Sequence, residues 1–136
     1  MQVYKEILVA IDCSPVDDIL IEHVSALALR VGATLHLLHV IHSHTLDQER
    51  FLRGQSMITL EHYQNQLQEA DIDVHVVIRS GEPEKEILSE IEENSYDLLA
   101  MAVHGHHLPE RILFGSVSRA LRKKTSIPLL LIKPER

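Results

Sequence analysis

Two kinds of hydrophobic pattern alternate along this chain. Ile7-Leu8-Val9-Ala10-Ile11 is continuously apolar rather than alternating, the pattern of a strand covered on both faces in a parallel sheet. The stretches Leu35 to Ile41, Leu98 to Val103 and Leu129 to Ile132 read the same way. Val74, Val76 and Ile78 alternate with His75, Val77 and Arg79, which predicts an edge strand. The total is five strands.

Helical patterns with their own punctuation lie between them. Ser14-Pro15 offers an N-cap followed by proline at the first helical position, Asp17 stands where a capping-box acid would, and Gly32 follows the last periodic residue. Within that span Val16, Leu20, His23, Val24, Leu27 and Val31 are predicted to share one face. Thr45 and Gln48 match a capping box for a second helix, whose apolar positions include Phe51, Leu52, Ile58, Leu60, Tyr63 and Leu67, with Gly54 weakening its middle. Glu82-Pro83 opens a third helix through Ile87, Leu88 and Ile91, with Glu84 and Glu86 near its positive end. A fourth is expected from near Ser116 through Val117, Ala120 and Leu121 to Arg122-Lys123-Lys124, cations that complement the helix dipole. Strands alternating with helices imply βαβ units, hence an α/β fold with an open five-stranded parallel sheet and helices on both faces.

Length and composition narrow the class. The 136 residues make one domain, 1–136, large enough for a single core and too short for two. Hydrophobic residues at 45% and charged residues at 24% are ordinary for a globular chain. No apolar run approaches the roughly 18 residues of a membrane span, and the first apolar stretch is too short for a signal sequence, so a cytoplasmic location with no membrane partner is expected. The lone Cys13 suits a reducing compartment. A formal net charge of −7 opposes nucleic acid as a partner.

In such a sheet, ligands bind outside the carboxyl ends of the strands, where the strand order reverses. The first strand delivers Asp12, Cys13 and Ser14 to that edge, the second Val40, His42 and His44, and the fourth His104, Gly105, His106 and His107. A helix N-terminus at Gly115-Ser116 offers unpaired N–H groups and close backbone approach, the features of an anion cradle, although an N-cap serine after a turn glycine explains the same residues. Asp12 can equally cap the turn into the first helix. Cys13 reads as a small turn or core residue rather than a nucleophile. His36 and His39, inside a strand, read as structural, and His23, His62 and His75 as solvent-facing or satisfied. His42, His44, His104, His106 and His107 would offer Zn, Ni or Cu a set of imidazoles only if two loops folded together, and their spacing matches no established zinc pattern.

Met101-Ala102-Val103-His104-Gly105, followed nine residues later by Gly115-Ser116-Val117-Ser118, resembles the glycine signature of the universal stress protein family, G-x2-G-x9-G-[ST]. Tyr4 to Ser14, Leu37-Leu38-His39-Val40, Gly81-Glu82-Pro83 and Ile127-Pro128-Leu129-Leu130 are similar to that family as well, so the resemblance covers nearly the whole chain. It implies a sheet of order 3-2-1-4-5, an adenine-nucleotide alpha-hydrolase-like fold, homodimerisation and, in one branch of the family, ATP binding, with Mg2+ as the accompanying cation. By the same resemblance Asp12 and Val40 would hold the adenosine beside Ala10, Ile11 and Met101, and Ala102, Gly105, Gly115, Ser116 and Val117 would wrap ribose and phosphates. The departure is Ala102, where the signature has its first glycine; extended backbone with negative φ is expected there, which leaves one added methyl as the obstacle to a ligand.

The leading expectation is a regulatory, dimeric stress-response module that binds adenine nucleotide and is not a dedicated enzyme, since the phosphate loop lacks a Walker lysine and at most slow ATP hydrolysis would follow. Ile127 to Ile132, a short apolar strand at the sheet edge, is where the homodimer would pair. The alternatives are a nucleotide-free dimer acting on a regulatory protein partner, as in the family branch without the full signature, and a metal-binding variant using the clustered histidines. An enzyme of the related ATP pyrophosphatase or class I synthetase kind would carry a glycine-rich or His-x-Gly-His motif after the first strand, where this chain has Asp12-Cys13-Ser14-Pro15.

Overall fold

The structure, a computed structural model, describes residues 4–103 and 117–133. The elements follow in the order β1 (Glu6–Ala10), α1 (Val16–Val31), β2 (Thr34–Ile41), α2 (Leu46–Glu69), β3 (Val74–Ser80), α3 (Pro83–Glu93), β4 (Leu98–Ala102), α4 (Arg119–Lys124) and β5 (Leu129–Ile132). All strands pair in parallel, in the order β3-β2-β1-β4-β5. Ala10, the last residue of β1, pairs with Leu38 on one side and Met101 on the other. The chain leaves β1 toward β2 and later returns on the opposite side as β4, so the strand order reverses at β1 and a crevice opens there.

The continuously apolar strands face two helical layers. Ile7, Val9, Leu35 and Leu37 pack with Leu20, Ile21 and Val24 of α1 and Leu60, Tyr63 and Leu67 of α2. Leu8, Leu38 and Leu99 point the other way, onto Ile87 and Ile91 of α3 and Leu121 of α4. Fully burying one such side chain stabilises the fold by about 1.5–3 kcal/mol, which is what holds helices on both faces. Among the described residues no helix is long and apolar enough to cross a membrane.

Local signals set most element ends. Gly32 ends α1 in the left-handed conformation (φ 71°), its N–H donating to the Ala28 carbonyl. Thr45 caps α2 by accepting the Gln48 N–H at 3.0 Å, while the Gln48 side chain accepts from the His44 N–H at 2.8 Å, one residue before the expected capping-box partner. Pro83 begins α3 as read from the sequence. Gly81 precedes it at φ 142°, and a side chain there would meet the Glu86 carboxylate at 2.7 Å. Arg79 on edge strand β3 reaches Glu86 and Glu90 of α3, both at 2.9 Å, and ties the two elements together. Arg122, Lys123 and Lys124 form the last turn of α4 as expected. The helix starts at Arg119, after Ser118; the start expected near Ser116 lies outside the described residues.

Two helix faces differ from expectation. On α1 the buried apolar set is Leu20, Ile21, Val24 and Ala28, with His23 exposed, so the face is rotated from the predicted one. On α2, Phe51 (63% exposed) and Ile58 (71%) point away from the core. At about 100° per residue they share one side of the helix, nearly opposite the inward Ser56, Leu60, Tyr63 and Leu67. Gly54 leaves α2 continuous.

Candidate functional site

The site begins where β1 stops. The Ile11 N–H donates to the Leu38 carbonyl at 2.7 Å, the last rung between β1 and β2. Beyond it the backbone turns through Cys13, whose φ is 63°. This turn points three successive amides at one carboxylate: Asp12 N–H to Asp17 Oδ1 at 2.9 Å, Cys13 N–H to Oδ2 at 2.6 Å and Ser14 N–H to Oδ2 at 3.1 Å. Such a concave run of N–H groups binds anions, and here a fully buried internal carboxylate fills it. Burial pushes the Asp17 carboxyl above its ordinary value, and the three amide bonds pull against that rise.

This arrangement corrects one expectation about the turn. The Ser14 hydroxyl does not cap α1; among the described residues its buried Oγ has no partner, and Pro15 is already helical (φ −59°, ψ −20°) ahead of Val16. Asp17 gathers the turn's amides, and the exposed Asp12 sits at the rim of the crevice. Cys13 is the turn residue read from the sequence. Burial, followed by the charges of Asp17 and Asp12, pushes its thiol up to about 11 against hydrogen bonds with Ser56 and Thr59, so it stays protonated at neutral pH.

Along β2, alternate residues turn their peptide groups toward β1 and β3. The Thr34 N–H reaches Lys5 and the Leu38 carbonyl receives Ile11, so the even-numbered residues face β1. Val40 is the next of these, one rung past the end of the ladder, and its N–H and C=O look into the gap that β1 has vacated. The Ile11 carbonyl, the acceptor a longer β1 would have offered Val40, is taken by His39 Nδ1 at 2.7 Å. A carbonyl only accepts, so Nδ1 carries the proton.

Around this gap is a cavity of about 280 Å3. Of the residues selected from the sequence, Ala10, Ile11, Asp12, Val40, Met101, Ala102 and Val117 all line it. Gly105, Gly115 and Ser116 lie outside the described residues. Leu38, Pro83, Ile87 and Val103 complete an apolar wall, and His39, Asp17 and Ser118 supply polar groups that sequence reasoning did not assign to the site. Asp17 had a signal, its third position in the helix. Pro83 and Ile87 had none, because only the packing of α3 over the sheet brings them there. Ala102 is extended, without positive φ, as expected, and pairs with Ile132. Its methyl packs against the α1 and α2 cluster, whereas Met101, Val40, Ala10 and Val117 pack on the opposite face.

The histidines separate. His36 Nε2 pairs with Glu6 at 2.7 Å and stacks on His75, a structural role. His42 Nδ1 donates to the Gly81 carbonyl at 3.2 Å, and its ring meets His44 edge-on at 5.5 Å. His104, His106 and His107 lie outside the described residues, and among the described residues no three metal-ligating side chains come together.

Comparison with known proteins agrees with this architecture. Residues 3–133 match the model of the universal stress protein family. Universal stress protein MJ0577 of Methanocaldococcus jannaschii is 27% identical over 96% of this chain and 95% of its own length. Its structure superimposes with a TM-score of 0.86, covering 98% of this chain and 99% of that one. A universal stress protein family protein from Arabidopsis thaliana, solved with AMP bound, shares the fold at 21% identity, with a TM-score of 0.67 over 96% and 92% of the two chains. A universal stress protein solved in complex with cAMP does so at 17% identity and a TM-score of 0.73, over 96% and 98%. With the five-stranded order, the crevice at β1 and a family match across nearly its full length, this chain belongs to the universal stress protein family.

Proposed function

We propose that the chain is a regulatory stress-response module that binds an adenine nucleotide in the crevice at the end of β1 and works as a homodimer. One observation carries the reading: an apolar cleft of about 280 Å3 has, on its β2 side, a peptide edge facing the gap where β1 ends. A purine needs apolar walls for its faces and hydrogen bonds for its edge. The Val40 N–H suits the acceptor N1 of adenine, and its C=O suits the 6-amino group. Asp12 at the rim is placed to accept from ribose hydroxyls. The Asp17 carboxylate occupies the amides of the β1–α1 turn and repels phosphate there, which favours phosphates running toward β4 and the glycine loop of Gly105, Gly115 and Ser116. The relatives solved with AMP and with cAMP support an adenine nucleotide as the ligand class. ATP is the form the glycine loop suits, and Mg2+ enters only as its counter-ion.

Binding is favoured over turnover because two of the three bases lining the cleft are engaged, Asp17 by three amides and His39 Nδ1 by a carbonyl, while Asp12 is assigned to the ribose. The dimer reading rests on β5, an apolar four-residue strand at the sheet edge; the opposite edge, β3, carries His75 and Arg79. Calorimetric titration with ATP and AMP, with light scattering on the same samples, tests the reading. Saturable binding that Gly115→Val weakens at least tenfold, in a dimer that Leu130→Lys dissociates, is the expected result. No binding of either nucleotide favours the nucleotide-free dimer, and a stable monomer removes the assembly.

A further inference from the structure

The end of the β1–β2 ladder poses a question of its own. Val40 sits one rung past the Ile11–Leu38 bond, and the Ile11 carbonyl is the acceptor that would let the ladder add that rung. Peptide groups at a sheet end that have a neighbour within reach ordinarily pair. All three ladders close on the same rung at this end: the Ile11 N–H to the Leu38 carbonyl at 2.7 Å, the Gly81 N–H to the Ile41 carbonyl at 2.9 Å and the Val103 N–H to the Ile132 carbonyl at 2.9 Å. Beyond that rung the Ile11 carbonyl receives the imidazole of the residue next to Val40 at 2.7 Å, much as the Gly81 carbonyl receives His42 at 3.2 Å on the β3 side.

We propose that His39 is a positioning residue: by donating Nδ1–H to the Ile11 carbonyl it takes the acceptor that the Val40 N–H would otherwise find, holds the ladder at that rung and keeps the Val40 peptide edge open for a purine. The purine half of this statement rests on the adenine-nucleotide reading above; the ladder half does not. Two further features support it. The amides of Asp12 and Cys13, the next groups along β1, are held by Asp17 and cannot extend the strand. His39 lines the cavity together with Val40 and Ile11, so the carbonyl is satisfied within the wall of the site without using the peptide edge a ligand needs. Because the donor is Nδ1–H, present in both the neutral and the charged ring, the device works on either side of the imidazole titration.

Amide hydrogen exchange on the unliganded chain tests the ladder half directly. In the wild type, Val40 should exchange at least a hundredfold faster than Leu38 and Ile41, whose amides sit in the β1 and β3 ladders. In His39→Leu the freed carbonyl should accept the Val40 N–H, slowing its exchange at least tenfold and weakening AMP and ATP at least tenfold. His39→Asn, whose side-chain amide can donate to the same carbonyl, should restore the fast exchange and most of the affinity. A Val40 amide already protected in the wild type overturns the proposal without any variant, as does unchanged exchange in a folded His39→Leu. Slowed exchange with unchanged affinity in a protein that binds nucleotide overturns the role at the base edge. If Val40 gains protection in His39→Leu while the wild type binds neither nucleotide, the ladder device is supported and the nucleotide reading falls.

Discussion

The two ends of the β1 strand use the same chemical device to opposite effect. At its start, the Asp97 carboxylate accepts from the Lys5 and Glu6 amides at 3.0 and 2.8 Å, and the Asp97 N–H returns a bond to the Glu6 carbonyl at 2.8 Å. The neighbouring ladders are extended there too, by Thr34 to Lys5 and Leu35 to Asp73. At its finish, the Asp17 carboxylate gathers three amides, but it draws them out of the sheet, and the strand ends. A carboxylate added to one end of a ladder seals it; one that removes amides from the other end leaves neighbouring peptides without partners. Ligand recognition needs such peptides, so the crevice lies where the ladder is cut rather than where it is finished.

The contrast can be broken most forcefully by removing each carboxylate in turn. Asp17 is fully buried and holds three part-buried amides at once, so Asp17→Ala removes three charge-assisted hydrogen bonds together, and the loss should be about 3 kcal/mol or more. Asp97 is part-exposed, water can replace it at Lys5 and Glu6, and Asp97→Ala should cost about 1 kcal/mol. Urea unfolding of both variants checks the ratio. Equal losses would mean that the turn after β1 relaxes to recover its hydrogen bonds, and that its shape is not imposed by Asp17.

Alkali should loosen the two ends in sequence. Cys13, at the finish of β1, has a thiol pushed from 9.0 to about 11, chiefly by burial. Between those values the native chain keeps a proton that the unfolded chain has lost, so the stability this group supplies is complete below pH 9 and disappears as the pH rises toward 11. Discounted for its partial exposure, the loss should be at most about 2 kcal/mol. Tyr96, packed edge-on against His36 near the start of the strand, is raised from 10.0 by burial and by its bond to Glu90, so its contribution begins to be lost about one pH unit above that of Cys13. Denaturant midpoints from pH 8 to 11 should therefore fall in the wild type and fall less in Cys13→Ser. Parallel curves would show that the thiol has no part in the decline.

How much of this was legible in the chain follows from how local each cause is. Continuous apolar runs marked the strands, and Thr45, Pro83 and Gly32 marked helix ends, because each acts through bonds within a few residues of itself. The strand order and seven of the cavity residues were also in reach, through the resemblance of Asp12, Val40 and the residues about Met101 to a known family. The rotated face of α1 and the outward Phe51 and Ile58 were not, since the angle at which a helix meets its sheet is set by its partners. His39 looked like an ordinary strand histidine. Its acceptor is the carbonyl of Ile11, placed there by a turn in which Asp17 captures the next amides and whose left-handed Cys13 no pattern announces.

The smallest expected effect concerns the residue where the chain departs from the family signature. A glycine at 102 would remove a methyl, and if that methyl projected over a ribose, its removal should tighten binding by the 1–3 kcal/mol or so typical of relieved overpacking. The strand argues otherwise. Ala102 is extended and bonded in register with Ile132, and its methyl packs against the α1 and α2 side, on the face opposite Met101 and Val40. Ala102→Gly should therefore leave the affinity for AMP and ATP within about twofold, and should lower stability by about 0.5–1 kcal/mol through the added freedom of the unfolded chain. Calorimetric titration and thermal unfolding of the same samples separate the two quantities. A tenfold gain in affinity would place the methyl in the ligand's path and make residue 102, rather than the edge at Val40, the feature that limits binding at this end of the sheet.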